Sequence, residues 1–123
     1  MTIIAEAVLF SYLDRPIFDV VVGNTDVGVS GVYPSTGGGT MSGARFSSGA
    51  QTVRWTLDGP RGTPRNGEVV HAQNHPELAP PSAGEHYLAV HIYPDNTVEL
   101  IYSKNYPQLS PRGLQFAASR RSG

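Results

Sequence analysis

An all-β fold, a sandwich or partly open barrel of about seven or eight short, mainly antiparallel strands, is what this sequence predicts. Two observations carry that reading. Glycine and proline supply 24 of 123 residues, which leaves few unbroken windows of helical length. Between these breakers stand short runs rich in Val, Ile, Leu, Phe and Tyr, several alternating with period two.

The elements follow in order. Residues 3–12 form a first strand, and 16–22 (Pro-Ile-Phe-Asp-Val-Val-Val) a second. The turn-like Asp14-Arg15-Pro16 between them predicts that the two pair as a hairpin. A third short strand runs over 28–33, and Pro34 to Thr40, with the triple glycine Gly37-Gly38-Gly39, forms a loop. Residues 51–58 alternate, with Val53, Trp55 and Leu57 on one face and Thr52, Arg54, Thr56 and Asp58 on the other, so Trp55 is expected as a core anchor. The segment 59–67 is a turn-rich excursion carrying Arg61 and Arg65, and it leads into a strand at 68–73. The paired prolines Pro80-Pro81 exclude a helix from the next loop. Residues 86–93 and 97–103 then make a β-hairpin around Pro94-Asp95-Asn96. Residues 113–118 are expected as a last edge strand, and 119–123 as a frayed tail beyond a single domain spanning 1–118.

Composition narrows the function classes. The charged fraction of 15% and eleven aromatic residues suit a folded chain rather than a disordered one. A formal charge of −1 gives no basic excess, so neither nucleic acid nor an anionic membrane is expected as a partner. With no cysteine there is no disulfide, thiolate nucleophile or thiolate metal site. Residues 3–10 are too short an apolar run to span a bilayer. If Met1 is the natural start, the expected compartment is the cytoplasm, or the periplasm if a native signal segment has been trimmed.

No catalytic or cofactor constellation emerges. His71 and His75 are four apart, a spacing that converges on a metal only from a helix; on a strand they stand roughly 13 Å apart. His86 and His91 have opposite strand parity. These four read as surface or satisfied core histidines, and no metal or cofactor is expected. Ser47, Ser48 and Ser82 lie in no nucleophile elbow, the ten acidic residues are scattered singly, and the glycine run lacks the Lys and Ser/Thr of a phosphate loop. The expected role is therefore binding rather than catalysis. Its candidate surface is one end of the scaffold, built from the 33–46 and 58–65 loops with Tyr33, Arg45, Phe46, Asp58, Arg61 and Arg65.

At Tyr12-Leu13-Asp14-Arg15-Pro16-Ile17, Gly37-Gly38-Gly39 and Val53-Arg54-Trp55 the chain resembles a family of small proteobacterial proteins of unassigned function, many of them lipoproteins encoded beside type VI secretion effectors. The later Tyr87-to-Asn96 stretch fits the same pattern more loosely. The resemblance implies an immunity protein, monomeric or homodimeric, that binds a cognate toxin and occludes its active site. Family lipoproteins carry a lipidated Cys, and often a Cys pair after the glycines. This chain has neither, which moves the expectation from a periplasmic anti-lipase role to a cytoplasmic one against a toxin acting on nucleic acid or metabolites. Two other readings stand beside it: a small-ligand or carbohydrate-binding β-sandwich, and a structural subunit of a phage tail or secretion apparatus.

Overall fold

The computed structural model describes residues 2–30 and 40–115, and within them ten strands form two four-stranded sheets and a two-stranded ladder. The strands are β1 (Thr2–Ser11), β2 (Ile17–Val22), β3 (Thr25–Ser30), β4 (Thr40–Ser47), β5 (Gly49–Ala50), β6 (Val53–Leu57), β7 (Val69–His71), β8 (Glu77–Leu78), β9 (Tyr87–Ile92) and β10 (Val98–Ser103). One sheet has the order β10-β9-β1-β4, the other β3-β2-β6-β7, and β5 pairs with β8. The fold is all-β, with no closed barrel.

Both sheets contribute to one apolar core. Ile3, Ala5, Ala7 and Leu9 of β1 meet Ala44 and Phe46 of β4, Leu88, Val90 and Ile92 of β9, and Ile17, Val20, Val22, Val53, Trp55 and Leu57 of the second sheet. The other face of β1 is buried as well: Val8, Phe10, Tyr12, Ala89 and Tyr93 form a second cluster against which Tyr87 and Leu109 pack. From Ala7 onward both faces are buried, which explains the unbroken apolar run in the second half of the strand, the pattern of a central strand with a parallel neighbour. That neighbour is β9, paired in parallel from Glu6↔Tyr87 to Ser11↔Ile92.

The hairpin expected between β1 and β2 does not form. β1 pairs with β4 and β9, and β2 with β3 and β6, so Tyr12 to Pro16 carries the chain from one sheet to the other. The amide of Tyr12 still bonds the carbonyl of Ile92 at 2.9 Å, extending β1 beside β9, while the Pro16 carbonyl already accepts from Asp58 at 3.0 Å. Two strands that each carry a strongly apolar face bury more surface across a core than side by side.

Bulges set the inward faces. In β2, Asp19 has φ 47° and the register shifts between Ile17 and Val20, so Ile17, Val20 and Val22 all point inward although strict alternation would separate them. In β4 the register shift against Ala5 and Ala7 spans Gly43, whose φ of 66° a side chain would resist.

The β9–β10 hairpin is present as expected, with Asn96 in the left-handed region (φ 63°). The Asp95 carboxylate accepts from Thr97 N and Oγ1, which fixes the turn. Residues 113–115, expected as part of an edge strand, instead lie in a helical turn over 111–115; 116–118 and the 119–123 tail fall outside the described residues. Pro111 opens this turn with φ preset for a helix, and Ser110 caps it by accepting the Gly113 amide on Oγ at 2.9 Å. The segment leading to it, 104–115, packs onto the outer face of the first sheet. There Tyr106 meets the Tyr87 ring edge-on at 5.6 Å, and Arg112 lies 4.2 Å over the Tyr93 ring.

Candidate functional site

β2 and β6 run antiparallel, with Ile17 opposite Leu57 and Val22 opposite Val53, so the second sheet has two ends about 13 Å apart along β6. Asp58 leaves from the Ile17 end, and Ser30, which pairs with Ile17, brings the chain to that end too. Arg45 is at the other end, where its carbonyl accepts the Thr25 hydroxyl. The six residues expected on one surface are therefore divided. Asp58, Arg61 and Arg65 are exposed on one loop; Arg45 is exposed at the far end; Phe46 is only 3% exposed and belongs to the core; and Tyr33, with the triple glycine, lies outside the described residues. The correction for Phe46 has a simple cause, because Ala44 and Phe46 share the inward parity of β4 while Arg45 and Ser47 face out.

The loop between β6 and β7 is built like an Ω-loop, its neck closed by Leu57 N to Glu68 O (2.9 Å) and Gly67 N to Leu57 O (2.8 Å). Its interior is held by a residue the sequence offered no reason to place there. Arg15, from the corner between the two sheets, donates from Nε to the Asp58 carbonyl (2.9 Å), from Nη1 to the Pro64 carbonyl (2.9 Å) and from Nη2 to Asn66 Oδ1 (2.8 Å). Asn66 Nδ2 in turn reaches the carbonyls of Gly59 and Pro60, and Thr63 Oγ1 donates to Pro60 O at 2.6 Å. A planar guanidinium supplies several donors in fixed directions, which is what three diverging oxygens require.

These bonds end almost entirely on backbone oxygens, so the charged tips stay outward. Arg65 forms a two-point ion pair with Glu68 at 2.7 Å. That pairing raises the Arg65 pKa and lowers that of Glu68, the hydrogen bond between them being the largest cause for each. Among the described residues the side chains of Asp58 and Arg61 make no hydrogen bond or ion pair.

Beside the loop lies a concavity of about 170 Å³ with Leu13, Leu57 and Val70 as apolar walls, Trp55 buried against it, and Asp14, Arg15, Arg65 and Asn96 among the polar residues around it. A second concavity, of about 270 Å³, surrounds Arg45 at the opposite end, with Asn24, Ser47, Ser48 and Thr52 in its lining.

The histidines do not converge. His71, His75 and His86 are exposed, and no group of three or more His, Cys, Asp or Glu among the described residues is placed to hold a metal ion. His91 is a core residue, stacked on Phe10 with centroids 4.8 Å apart and bonded through Nδ1 to the Tyr12 hydroxyl at 3.0 Å. Burial pushes its imidazole down to about 4, opposed by the nearby Glu99 carboxylate, so it is neutral at pH 7. The Tyr93 phenol, raised by burial and by donating to Glu99 at 2.6 Å, stays protonated.

No protein family, curated protein or solved structure gave a match to the chain.

Proposed function

We propose that the protein binds and neutralises a cognate bacterial toxin, of the kind delivered by type VI secretion, by laying the 58–68 loop and its neighbouring concavity over the toxin's active site. The reading supposes action in the cytoplasm as a monomer or homodimer. The observation that supports a binding role is the Arg15 clasp. An eleven-residue loop that is already ordered loses little conformational entropy on association, so contact energy is not spent on freezing it. The same clasp leaves Asp58, Arg61 and Arg65 exposed as anchors, and interface arginines are frequent hot spots. The choice of a toxin as partner rests on the resemblance at Tyr12–Ile17 and Val53–Trp55.

The test is calorimetry between this protein and the product of the adjacent gene. Replacing Arg61 and Arg65 together by Ala should weaken binding at least about thirtyfold, or about 2 kcal/mol, with folding nearly unchanged. Arg45→Ala, at the far end, should leave affinity within about twofold. If Arg45→Ala weakens binding and the Arg61/Arg65 pair does not, the interface belongs to the other end. A small-ligand reading is favoured by the polar concavity around Arg45; it predicts that a sugar or small acid shifts Ser47 and Thr52 amide resonances with no protein partner required.

A further inference from the structure

We infer that the concavity around Arg45 is a binding site for a small hydroxylated acid, its carboxylate held by the Arg45 guanidinium and one of its hydroxyls donating to the side-chain oxygen of Gln51. The site lies at the end of the second sheet away from the 58–68 loop. It deepens the small-ligand reading given above and rests on that reading, not on a protein partner.

Gln51 carries the inference. It is only 4% exposed, and its amide is oriented by the backbone, with Nε2 donating to Ser47 O at 2.6 Å and to Gly49 O at 2.9 Å. Carbonyls only accept, so the nitrogen is on their side and Oε1 is turned away from them. That oxygen accepts no hydrogen bond from a described residue. Among the described residues Trp55 Nε1 is the one side-chain nitrogen or oxygen that is both shut off from solvent and unbonded, so Gln51 Oε1 is an acceptor reachable from outside. Its opening is beside Gly23: a Cβ built there would stand 3.0 Å from Oε1, and Gly23 and Gln51 both line the concavity. Glycine, here at φ 63°, keeps the space over the oxygen clear. An unpaired acceptor so nearly enclosed favours a ligand that brings a donor.

The surrounding wall is fixed, and its charge has one sign. Gly23 N donates to Thr52 O at 2.7 Å, Gln51 N to Pro76 O at 2.9 Å, and the Thr25 hydroxyl to the Arg45 carbonyl, so the β2–β3 turn, β4 and residues 50–52 hold one another in place. A preformed wall limits the ordering cost of binding. The Arg45 guanidinium makes no hydrogen bond or ion pair among the described residues, and no carboxylate stands in the lining. Its planar fork of N–H groups matches the two oxygens of a carboxylate. The guest must therefore offer an anion on one side and a hydrogen-bond donor on the other; so close to an arginine, a neutral hydroxyl suits the second place better than an ammonium. A cavity of about 150 Å³ holds benzene, so about 270 Å³ takes roughly eleven heavy atoms, close to the size of one sugar acid.

The ¹⁵N-labelled protein is titrated at constant ionic strength with sodium glucuronate, glucose, sodium cyclohexanecarboxylate and glucosamine hydrochloride. Glucuronate should give saturable shifts of the Gly23 and Thr52 amides and of the Gln51 side-chain amide, half-complete near about 1 mM, the scale of a ligand of about thirteen heavy atoms. Glucose lacks the carboxylate and cyclohexanecarboxylate the hydroxyls, so each should bind at least tenfold more weakly, and glucosamine should leave the resonances unmoved. Arg45→Gln, at an exposed side chain, should erase the advantage of glucuronate over glucose. Gly23→Asn keeps a residue that tolerates the left-handed backbone but fills the space over Oε1, and should weaken glucuronate at least tenfold. Should that variant fail to fold in urea denaturation, cyclohexanecarboxylate against the unaltered protein tests the hydroxyl contact instead.

The inference is overturned if any of the other three compounds binds as tightly as glucuronate, which would leave a small-ligand site of another class. It falls together with the small-ligand reading if no compound gives a saturable shift, and it falls if glucuronate affinity survives both substitutions. Glucuronate binding without any affinity for the neighbouring gene's product sinks the toxin and leaves this site standing. Tight partner binding by a protein blind to glucuronate does the reverse.

Discussion

Replacing Arg15 by Ala tests whether the 58–68 loop is ordered from outside itself. The substitution deletes three bonds from a cationic donor, to Asp58 O, Pro64 O and Asn66 Oδ1, all near the surface. Bonds to charged groups contribute about 1.5–3 kcal/mol when desolvated and neutral ones about 0.5–1.5, so partly exposed bonds belong to the lower range. A loop that comes free also regains conformational entropy, which offsets part of the loss. The expected net cost is about 1–2 kcal/mol, measured by urea denaturation with the Trp55 fluorescence as probe. Hydrogen exchange should locate the effect: the Thr63 and Gly67 amides, bonded to Pro60 O and Leu57 O, lose protection, while the β1–β9 amides keep theirs. Arg15→Lys retains the charge but not the fork and should recover less than half of the loss. A cost under about 0.5 kcal/mol with unchanged exchange at Thr63 and Gly67 would show that the loop's own turns suffice, and the clasp would then explain nothing about binding.

Two further predictions concern the opposite side of the first sheet. A methyl group at position 113 would stand 2.3 Å from the buried Tyr12 ring, which is itself stacked on Tyr93 and bonded to His91, so Gly113→Ala should lift the 104–115 segment. We expect a loss of about 1–3 kcal/mol and a rise of the His91 pKa toward its ordinary value as water enters; stability within 0.5 kcal/mol and an unmoved His91 titration would refute the close approach. The second prediction is a pH dependence. The folded imidazole resists a proton until about pH 4, whereas in the unfolded chain it takes one at about 6.5, so between these values the unfolded state binds more protons. Stability from this group is present above pH 6.5 and is lost as the pH falls to about 4, by about 3 kcal/mol at most. His91→Gln should flatten that slope in denaturation curves, and an equal slope in both proteins would assign the acid sensitivity to carboxylates.

Where the sequence was legible and where it was not follows the range of the interactions. The β9–β10 hairpin could be read because Pro94-Asp95-Asn96 sets the reversal locally and Asn96 tolerates positive φ. Trp55 could be read because β6 has one face in the core, so alternation survives in its residues. The partners of β1 could not: with both faces covered from Ala7 onward, that half of the strand carries no period, and its parallel pairing to β9 joins residues about eighty apart. The helical turn at 111–115 did leave a signal, Ser110-Pro111, but Gly113 stands inside it and five residues are too few for a helical period to show. At the site, Asp58, Arg61 and Arg65 were legible as loop residues. The clasp was not, since Arg15 is 43 to 51 positions away from the oxygens it holds and nothing local marks its direction.

That separation between the residue that orders the loop and the residues that face outward bears on how such a surface could change partner. The interior of the loop is held through backbone carbonyls and the short Asn66 and Thr63 side chains, so its shape does not depend on the Arg61 side chain, whereas position 65, in the left-handed region (φ 68°), accepts only residues that tolerate that backbone. The Arg65–Glu68 pair is exposed on both sides and contributes little to stability. Exchanging Glu68 for a partner's carboxylate would therefore cost little, whereas the new pair gains from the water excluded at an interface. Under the proposed binding role, recognition can thus be rewritten at the tips without rebuilding the scaffold, while a change at Arg15 alters the shape itself. On this argument substitutions at 61 and 65 should alter which partner is bound, and substitutions at 15 should weaken every partner alike.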